Sequence, residues 1–199
     1  MTDREEAARE QVLDAARERV LDAAQELFYG RGVQAVGMDA VRSASGVSLK
    51  RLYQLFPSKD ALVLEFLRQR DVRWRLRLAD HVEAQPTPDE RITAVFDWLH
   101  GWFSEPGYRG CAFINAFGEM GAVSSEVAAE AQHHKKAFHD YLARLVAAAG
   151  RPAALAGQLA LLAEGAMVTA AISGTPEPAR QARDAARLLM QAHPGIGQP

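Results

Sequence analysis

Glycine and proline punctuate this chain at intervals of helix length, and between the marks no alternating apolar and polar run of strand length occurs. Turn residues fall at positions 30–32, 45–46, 57–58, 86–88, 106–107, 150–152 and 174–178. The segments between them are rich in Ala and Leu, which lose little on entering a helix. An all-α fold of about nine helices is expected. At 199 residues, the chain is long enough for one domain or two small ones and for a real core.

Charge excludes one simple idea. Twenty-three basic and 25 acidic residues give a formal net charge of -2, so affinity for a polyanion has to come from local clustering rather than a global field. Cys111 is the single cysteine, which excludes an intrachain disulfide and a multi-cysteine zinc site and suits a reducing compartment. The cytoplasm is the expected location. The charged N-terminus lacks the apolar core of an export signal. Residues 152–175 are apolar but interrupted by Gln158 and Glu164, so they are expected to form a buried or interface helix and not a membrane span.

The first three helices are the informative ones. Val20, Ala23, Ala24, Leu27 and Phe28 follow the i, i+3, i+4, i+7, i+8 pattern of one buried stripe. Residues 12–16 nearly copy residues 20–24, but eight steps of about 100° turn the face by roughly 80°. That upstream copy is therefore expected to be a solvated extension of the first helix and not a solenoid repeat. A short second helix starts at Met38 and buries Met38 and Val41. Ser45-Gly46 makes a tight turn, Val47 re-enters the core, and Ser48 caps a third helix running to about Phe56. Ser58 is placed to cap the fourth helix after Pro57.

Helix, glycine turn, helix within about 20 residues is the helix-turn-helix plan. Along the third helix, at about 100° per residue, Leu52, Leu55 and Phe56 gather on one face and Lys50, Arg51 and Gln54 on the other. Residues 40–59 contain Arg42, Lys50, Arg51 and Lys59 and no acid, a local charge of +4. Lys and Arg neutralise phosphates or donate to guanine, Gln pairs with adenine, and the Tyr53 hydroxyl donates to a phosphate. The pattern predicts a helix seated in a major groove.

Taken together, residues 20–28, Gly32, Met38, Val41, Gly46-Val47-Ser48, Leu52-Tyr53, Phe56, Ser58-Lys59 and Leu62 resemble the DNA-binding domain of the TetR-like bacterial transcriptional regulators. The resemblance implies that residues 48–55 are the recognition helix, with Tyr53 and Lys59 on phosphates, and that the helical remainder binds a small molecule and dimerises. It implies a DNA-facing position for Leu49 and Leu55, which periodicity turns toward the core. Three residues depart from the family pattern. Gly37 stands where a Ser or Thr cap is usual, Arg42 replaces a small residue, and Lys50-Arg51 replaces an uncharged pair. The last change alters which operator is read.

The DNA-binding set is thus Arg42, Ser48, Leu49, Lys50, Arg51, Tyr53, Gln54 and Lys59. The corresponding domains are a DNA-binding domain at 13–73, with the helix-turn-helix at about 36–55, and a ligand-binding and dimerisation domain at 74–192, flanked by tails at 1–12 and 193–199. A second basic run at Arg68, Arg70, Arg73, Arg75 and Arg77 is read as a solvated face of the fourth helix or an interdomain ion-pair seam, with an electrostatic flank to the DNA as the alternative.

Beyond residue 86 aromatic residues accumulate. Trp98, Trp102, Phe103, Phe117, Met120 and Met167, with the polar Cys111, Asn115 and Glu119, have the mixture that small-molecule sites use, although aromatics at helical spacing also fill ordinary cores. They are the expected ligand-binding set, for a small apolar or aromatic effector. Residues 108–119 resemble the Gly-Cys-bearing sixth helix of some TetR-like subfamilies. His133, His134 and His139 lack the spacing that would place two imidazoles on one helix face, so no metal and no cofactor is expected. Leu155, Leu159, Leu162, Met167 and Val168, with Ala185, Leu188 and Leu189, are expected to pack against a twin, with an intrachain core as the competing account. No nucleophile elbow, zinc-protease or phosphate-loop motif is present, so no enzyme is expected. The expected function is a homodimeric repressor released from a palindromic DNA operator by its effector. The alternatives are a regulator without ligand control and a helical small-molecule binder that does not touch DNA.

Overall fold

The structure, a computed structural model, describes residues 3–193. All the regular structure among them is helical, in the order α1 (Asp3–Arg31), α2 (Met38–Ser45), α3 (Leu49–Leu55), α4 (Lys59–Glu83), α5 (Pro88–Phe103), α6 (Ala112–Met120), α7 (Ser125–Ala148), α8 (Ala154–Ser173) and α9 (Glu177–Ala192). Of the tail expected at 193–199, residues 194–199 lie outside the described residues, as do the first two residues of the chain.

The chain divides into two compact units. One takes residues up to Arg70 together with Asn115–Glu130; the other takes Asp71–Ile114 and the described residues from Ala131 on. The division expected near residue 73 is contiguous in sequence, whereas the first unit also includes the stretch 115–130 from the middle of the chain.

In the first unit the α1 stripe of Val20, Ala23, Ala24, Leu27 and Phe28 is buried. Phe28 meets Phe66 of α4 edge-on at 5.7 Å. The upstream copy behaves differently. Val12 is exposed while Val20 is fully buried, which is the consequence of the rotated face. Arg17 pairs with Glu65 at 2.7 Å and lies over the Phe56 ring. The Glu119 carboxylate accepts from the Gln34 backbone N–H at 2.7 Å, and the Gln34 side-chain amide donates to the Glu119 carbonyl. Gly32, at φ +88°, faces that carboxylate, and a Cβ there would stand 3.0 Å from Glu119 Oε1.

The second unit is organised around Trp74 of α4. Its ring lies 5.1 Å from Trp98, 5.7 Å from Trp102, 5.4 Å from Phe138 and 5.1 Å from His134, each edge-on. α5 begins with a full capping box between Thr87 and Glu90, which satisfies orphan N–H groups at the helix start. Arg151, whose side chain is buried, joins Asp89 at 2.8 Å and donates to the His193 carbonyl at 2.7 Å.

Among the described residues α8 is the one helix long and apolar enough, by length and composition, to cross a bilayer. Gln158 and Glu164 do not take it out of that range. Seven of its residues, including Leu155, Leu159 and Met167, are instead buried inside the unit. Those three are core and not interface, which corrects the expected twin-facing set. The apolar side chains left outside are Leu161 (75% exposed), Val168 and Ile172 (83%) on α8 and Leu188 on α9. On α8 they recur at i, i+7 and i+11, one face of the helix.

Candidate nucleic-acid interface

The turn between α2 and α3 is built from three local features. Gly46 ends α2 at φ +68°, a left-handed conformation that glycine adopts without a Cβ penalty, and its N–H donates to the Arg42 carbonyl at 3.1 Å. Val47 is buried and anchors the turn. Ser48 then caps α3, its Oγ accepting from the Arg51 N–H at 3.2 Å. Gly37 caps α2 with extended backbone and no side-chain bond, so the departure from a Ser or Thr costs only a few tenths of a kcal/mol. Ser58 caps α4, with Oγ accepting from the Ala61 N–H at 3.1 Å.

α3 has seven residues, and only Leu52 is buried. Leu49 is 48% exposed and Tyr53 47%. Lys50 and Gln54 are exposed, while Arg51 and Leu55 are half-buried. Leu49 therefore lies on the solvent face, where the resemblance put it and periodicity did not. Leu52 and Phe56 fill the core beneath so short a helix, and Leu49, in its first turn, stays about half exposed. Neither Lys50 nor Arg51 is paired with a carboxylate among the described residues.

Two of the other expected DNA contacts carry internal bonds. Arg42 Nε reaches Asp39 Oδ1 at 2.9 Å, an acid just outside the window in which no acid was counted. Lys59 Nζ donates to the Gln34 carbonyl at 3.5 Å. The second basic run is largely engaged within the chain: Arg68 with Glu130 at 2.6 Å, Arg75 with Asp71 at 2.6 Å, Arg77 with Glu105, and Arg70 over the Tyr29 ring. The hydrogen bond that Arg68 donates to Glu130, together with that carboxylate's charge, raises the Arg68 pKa.

The domain model for bacterial regulatory proteins of the tetR family matches residues 20–66, the segment from the α1 stripe through the capped start of α4. The chain belongs to the TetR family. As a TetR-family DNA-binding transcriptional regulator it is not an enzyme. It is 28% identical to a TetR-family transcriptional regulator from Streptomyces coelicolor, covering 90% of this chain and 96% of that one with a TM-score of 0.84. It is 29% identical to a TetR-type transcriptional regulator from Streptomyces avermitilis, covering 86% and 98% with a TM-score of 0.73. A TetR transcriptional regulator from Chloroflexus aurantiacus shares the fold at 21% identity, covering 91% and 96% with a TM-score of 0.78. No protein of curated function matches the chain.

The nine residues expected to bind a ligand in this TetR-family regulator are divided between the two units. Asn115, Phe117, Glu119 and Met120 belong to the first unit and Trp98, Trp102, Phe103, Cys111 and Met167 to the second. Phe117 is 51% exposed, and Glu119 is engaged with Gln34. Trp98 and Trp102 stack on each other at 5.5 Å, and Tyr108 packs on Trp102 and Phe103 while donating to the Met167 carbonyl at 2.8 Å. These rings fill a core.

A pocket of about 240 Å³ lies instead against Val72, Trp74, Leu76, Phe138, Tyr141 and Arg144, among others, on α4 and α7. None of the nine lines it. Trp74 Nε1 and the Tyr141 hydroxyl are buried with no hydrogen-bond partner among the described residues. Burial, with the Glu83 charge, pushes the Tyr141 hydroxyl up to about 12 against the pull of Arg144 and Arg91, so it stays a protonated donor. Sequence reasoning did not bring this pocket together because its aromatic members, Trp74, Phe138 and Tyr141, lie far apart in the chain. Among the described residues no group of three or more His, Cys, Asp and Glu is arranged to hold a metal ion.

Proposed function

We propose that this regulator is a cytoplasmic homodimeric repressor that reads a near-palindromic operator through the exposed face of α3 and is released from it by a small apolar or aromatic effector. The observation that carries the reading is that face itself, on which Leu49, Lys50, Tyr53 and Gln54 stand in solvent beside an Arg51 that has no carboxylate partner among the described residues. Arg51 and Lys50 supply donors to guanine or phosphate, Gln54 a bidentate partner for adenine, and Leu49 an apolar contact for a thymine methyl. Tyr53 and Lys59 flank them as phosphate contacts. The Ser48 hydroxyl fixes the helix start, and Arg42, held by Asp39, is the weakest member of the set.

A dimer is supported by the apolar face of Leu161, Val168 and Ile172 on α8, continued by Leu188, because exposed apolar stripes of this kind are covered in stable proteins. Two copies of α3 related by a two-fold axis would enter successive major grooves about 34 to 36 Å apart. The effector would occupy the α4 and α7 pocket, where apolar walls meet the Tyr141 hydroxyl. The rings of Trp98, Trp102 and Phe103 form the support behind Trp74.

Gel-shift assays with the DNA upstream of the chain's own gene test the first part. A palindrome bound with dimer stoichiometry is the expected result, and uniform weak binding to all sequences refutes it. For the second part, a panel of small aromatic compounds is screened by tryptophan fluorescence. Compounds that quench it should also release the DNA, and Phe138→Ala should weaken that response.

A further inference from the structure

The pocket on α4 and α7, of about 240 Å³, lies just under the roughly 300–1,000 Å³ of sites for drug-sized ligands, which suits a molecule of one or two rings. Two of its apolar lining residues, Val72 and Leu76, stand one turn apart on α4 and are about half exposed. The polar groups at the pocket are few, and two are unsatisfied. Three buried side-chain polar atoms have no hydrogen-bond partner among the described residues, and two of these, Trp74 Nε1 and the Tyr141 hydroxyl, belong to residues lining this pocket. The third belongs to Arg183, which already pairs with Asp97 at 2.6 Å. A buried donor without an acceptor forfeits the hydrogen bond it made in water. Folded proteins keep few such groups, and two at one cavity call for an acceptor from outside the chain.

Charge narrows the choice of acceptor. Arg75 is bound to Asp71 at 2.6 Å, and Asp71 and His134 form a buried pair at 2.7 Å, so the Arg75 guanidinium is neutralised within the chain. Glu83 and Arg144 are exposed lining residues of opposite sign, and Arg144 lies over the Tyr141 ring at 5.4 Å. These side chains bring no net charge toward a ligand ion. Burial and the Glu83 charge hold the proton on the Tyr141 hydroxyl, pushed up to about 12, and the same surroundings penalise a ligand carboxylate set against that oxygen. An ammonium fails for a different reason. It has donors only, as Trp74 Nε1 has, and one donor does not satisfy another.

On the reading that this pocket holds the effector, we propose that the effector is a small, uncharged ring compound with a carbonyl-type acceptor, of the ketone or ester class, whose oxygen accepts from the Tyr141 hydroxyl, with Trp74 Nε1 as the second donor. The ring carbons pack on the apolar lining that includes Val72, Leu76 and Phe138. A hydrocarbon of the same shape leaves both donors unpaired. A site whose buried groups are there to donate rejects the analogue without the acceptor, because those groups then stay unsatisfied. A carboxylate supplies an acceptor but brings a charge that nothing at the pocket balances.

Calorimetric titration of the full chain at neutral pH, without DNA, compares 1-tetralone with tetralin, which has nearly the same shape and no acceptor, and with 1-naphthoate, which is an anion. 1-Tetralone should bind about tenfold more tightly than either. Tyr141→Phe should keep its circular dichroism and melting temperature, lower 1-tetralone to the level of tetralin and leave tetralin unmoved. Glu83→Gln, at an exposed side chain, is the second variant, and it should raise the affinity for 1-naphthoate several-fold without changing that for 1-tetralone. Leu76→Ala, also at an exposed side chain, locates the probes and should weaken all of them. If Leu76→Ala does so but tetralin or 1-naphthoate binds as tightly as 1-tetralone, or the preference survives in Tyr141→Phe, the pocket holds a ligand of another class and this proposal alone is overturned. If no probe binds, or Leu76→Ala changes nothing, the pocket is not the effector site and both readings fall.

Discussion

Replacing Lys50 by Ala tests the α3 face with little risk to the fold. The Lys50 side chain is exposed and has no carboxylate partner among the described residues, so the substitution should change stability by no more than about 0.5 kcal/mol. If Lys50 neutralises a phosphate, a dimer loses two such contacts, one from each copy. Each contact contributes about 0.9 to the slope of log affinity against log salt, so the slope should flatten by about 1.8. Between about 50 and 200 mM salt, a fourfold range, wild-type affinity should then fall by roughly tenfold more than that of the variant. Fluorescence anisotropy with a labelled operator, titrated at several salt concentrations, measures both slopes. Parallel lines with unchanged affinity would show that the cationic face does not meet DNA. Parallel lines displaced downward would mean that Lys50 reads a base edge instead.

Other outcomes follow from the same geometry. Leu161→Glu with Ile172→Glu should leave helix content intact and convert the dimer to monomer in sedimentation velocity, because both side chains lie outside the subunit core; a dimer that persists would place the interface elsewhere. Ser48→Ala removes the oxygen that receives the Arg51 N–H and should cost about 0.5–2 kcal/mol in denaturant unfolding of the first unit. The buried pair sets a pH dependence. Asp71 is lowered overall, its His134 and Arg75 bonds outweighing burial, so its contribution is present above the ordinary carboxylate range and is lost as pH falls through its folded value. His134 is raised, so its contribution is present below the ordinary imidazole range and is lost as pH rises through its own folded value. Thermal melts should therefore show a stability maximum between these limits, and His134→Gln should flatten the alkaline side.

Much of the fold was legible in the sequence because local signals agree. The Gly46 turn and the Ser48 and Ser58 caps each act within four residues, and the α1 stripe repeats over three turns. What the sequence left open depends on distance or on rotation. Leu49 was misassigned by periodicity because a period gives the direction of a face and not its width, and a seven-residue helix buries one side chain fully. Arg42 looked free because its acid, Asp39, stands one residue outside the charge window. α8 is apolar around its whole circumference, so the pattern could not separate Leu155, Leu159 and Met167, which pack inside, from Leu161 and Ile172, which do not. The break between α6 and α7, near Gly121, lacks the proline that marks other turns. Asp71 and His134 meet across 63 residues. Nothing in the local sequence around either residue announces the other.

The central claim is that two copies of the exposed α3 face read one operator together. Hydroxyl-radical footprinting on the palindrome found upstream of the gene tests it most directly. Two protected half-sites centred about 34 to 36 Å apart, one helical turn or a whole multiple of it, are the predicted result, with both lost together in the Leu161→Glu and Ile172→Glu double variant. A single protected site that survives in that variant would contradict the claim.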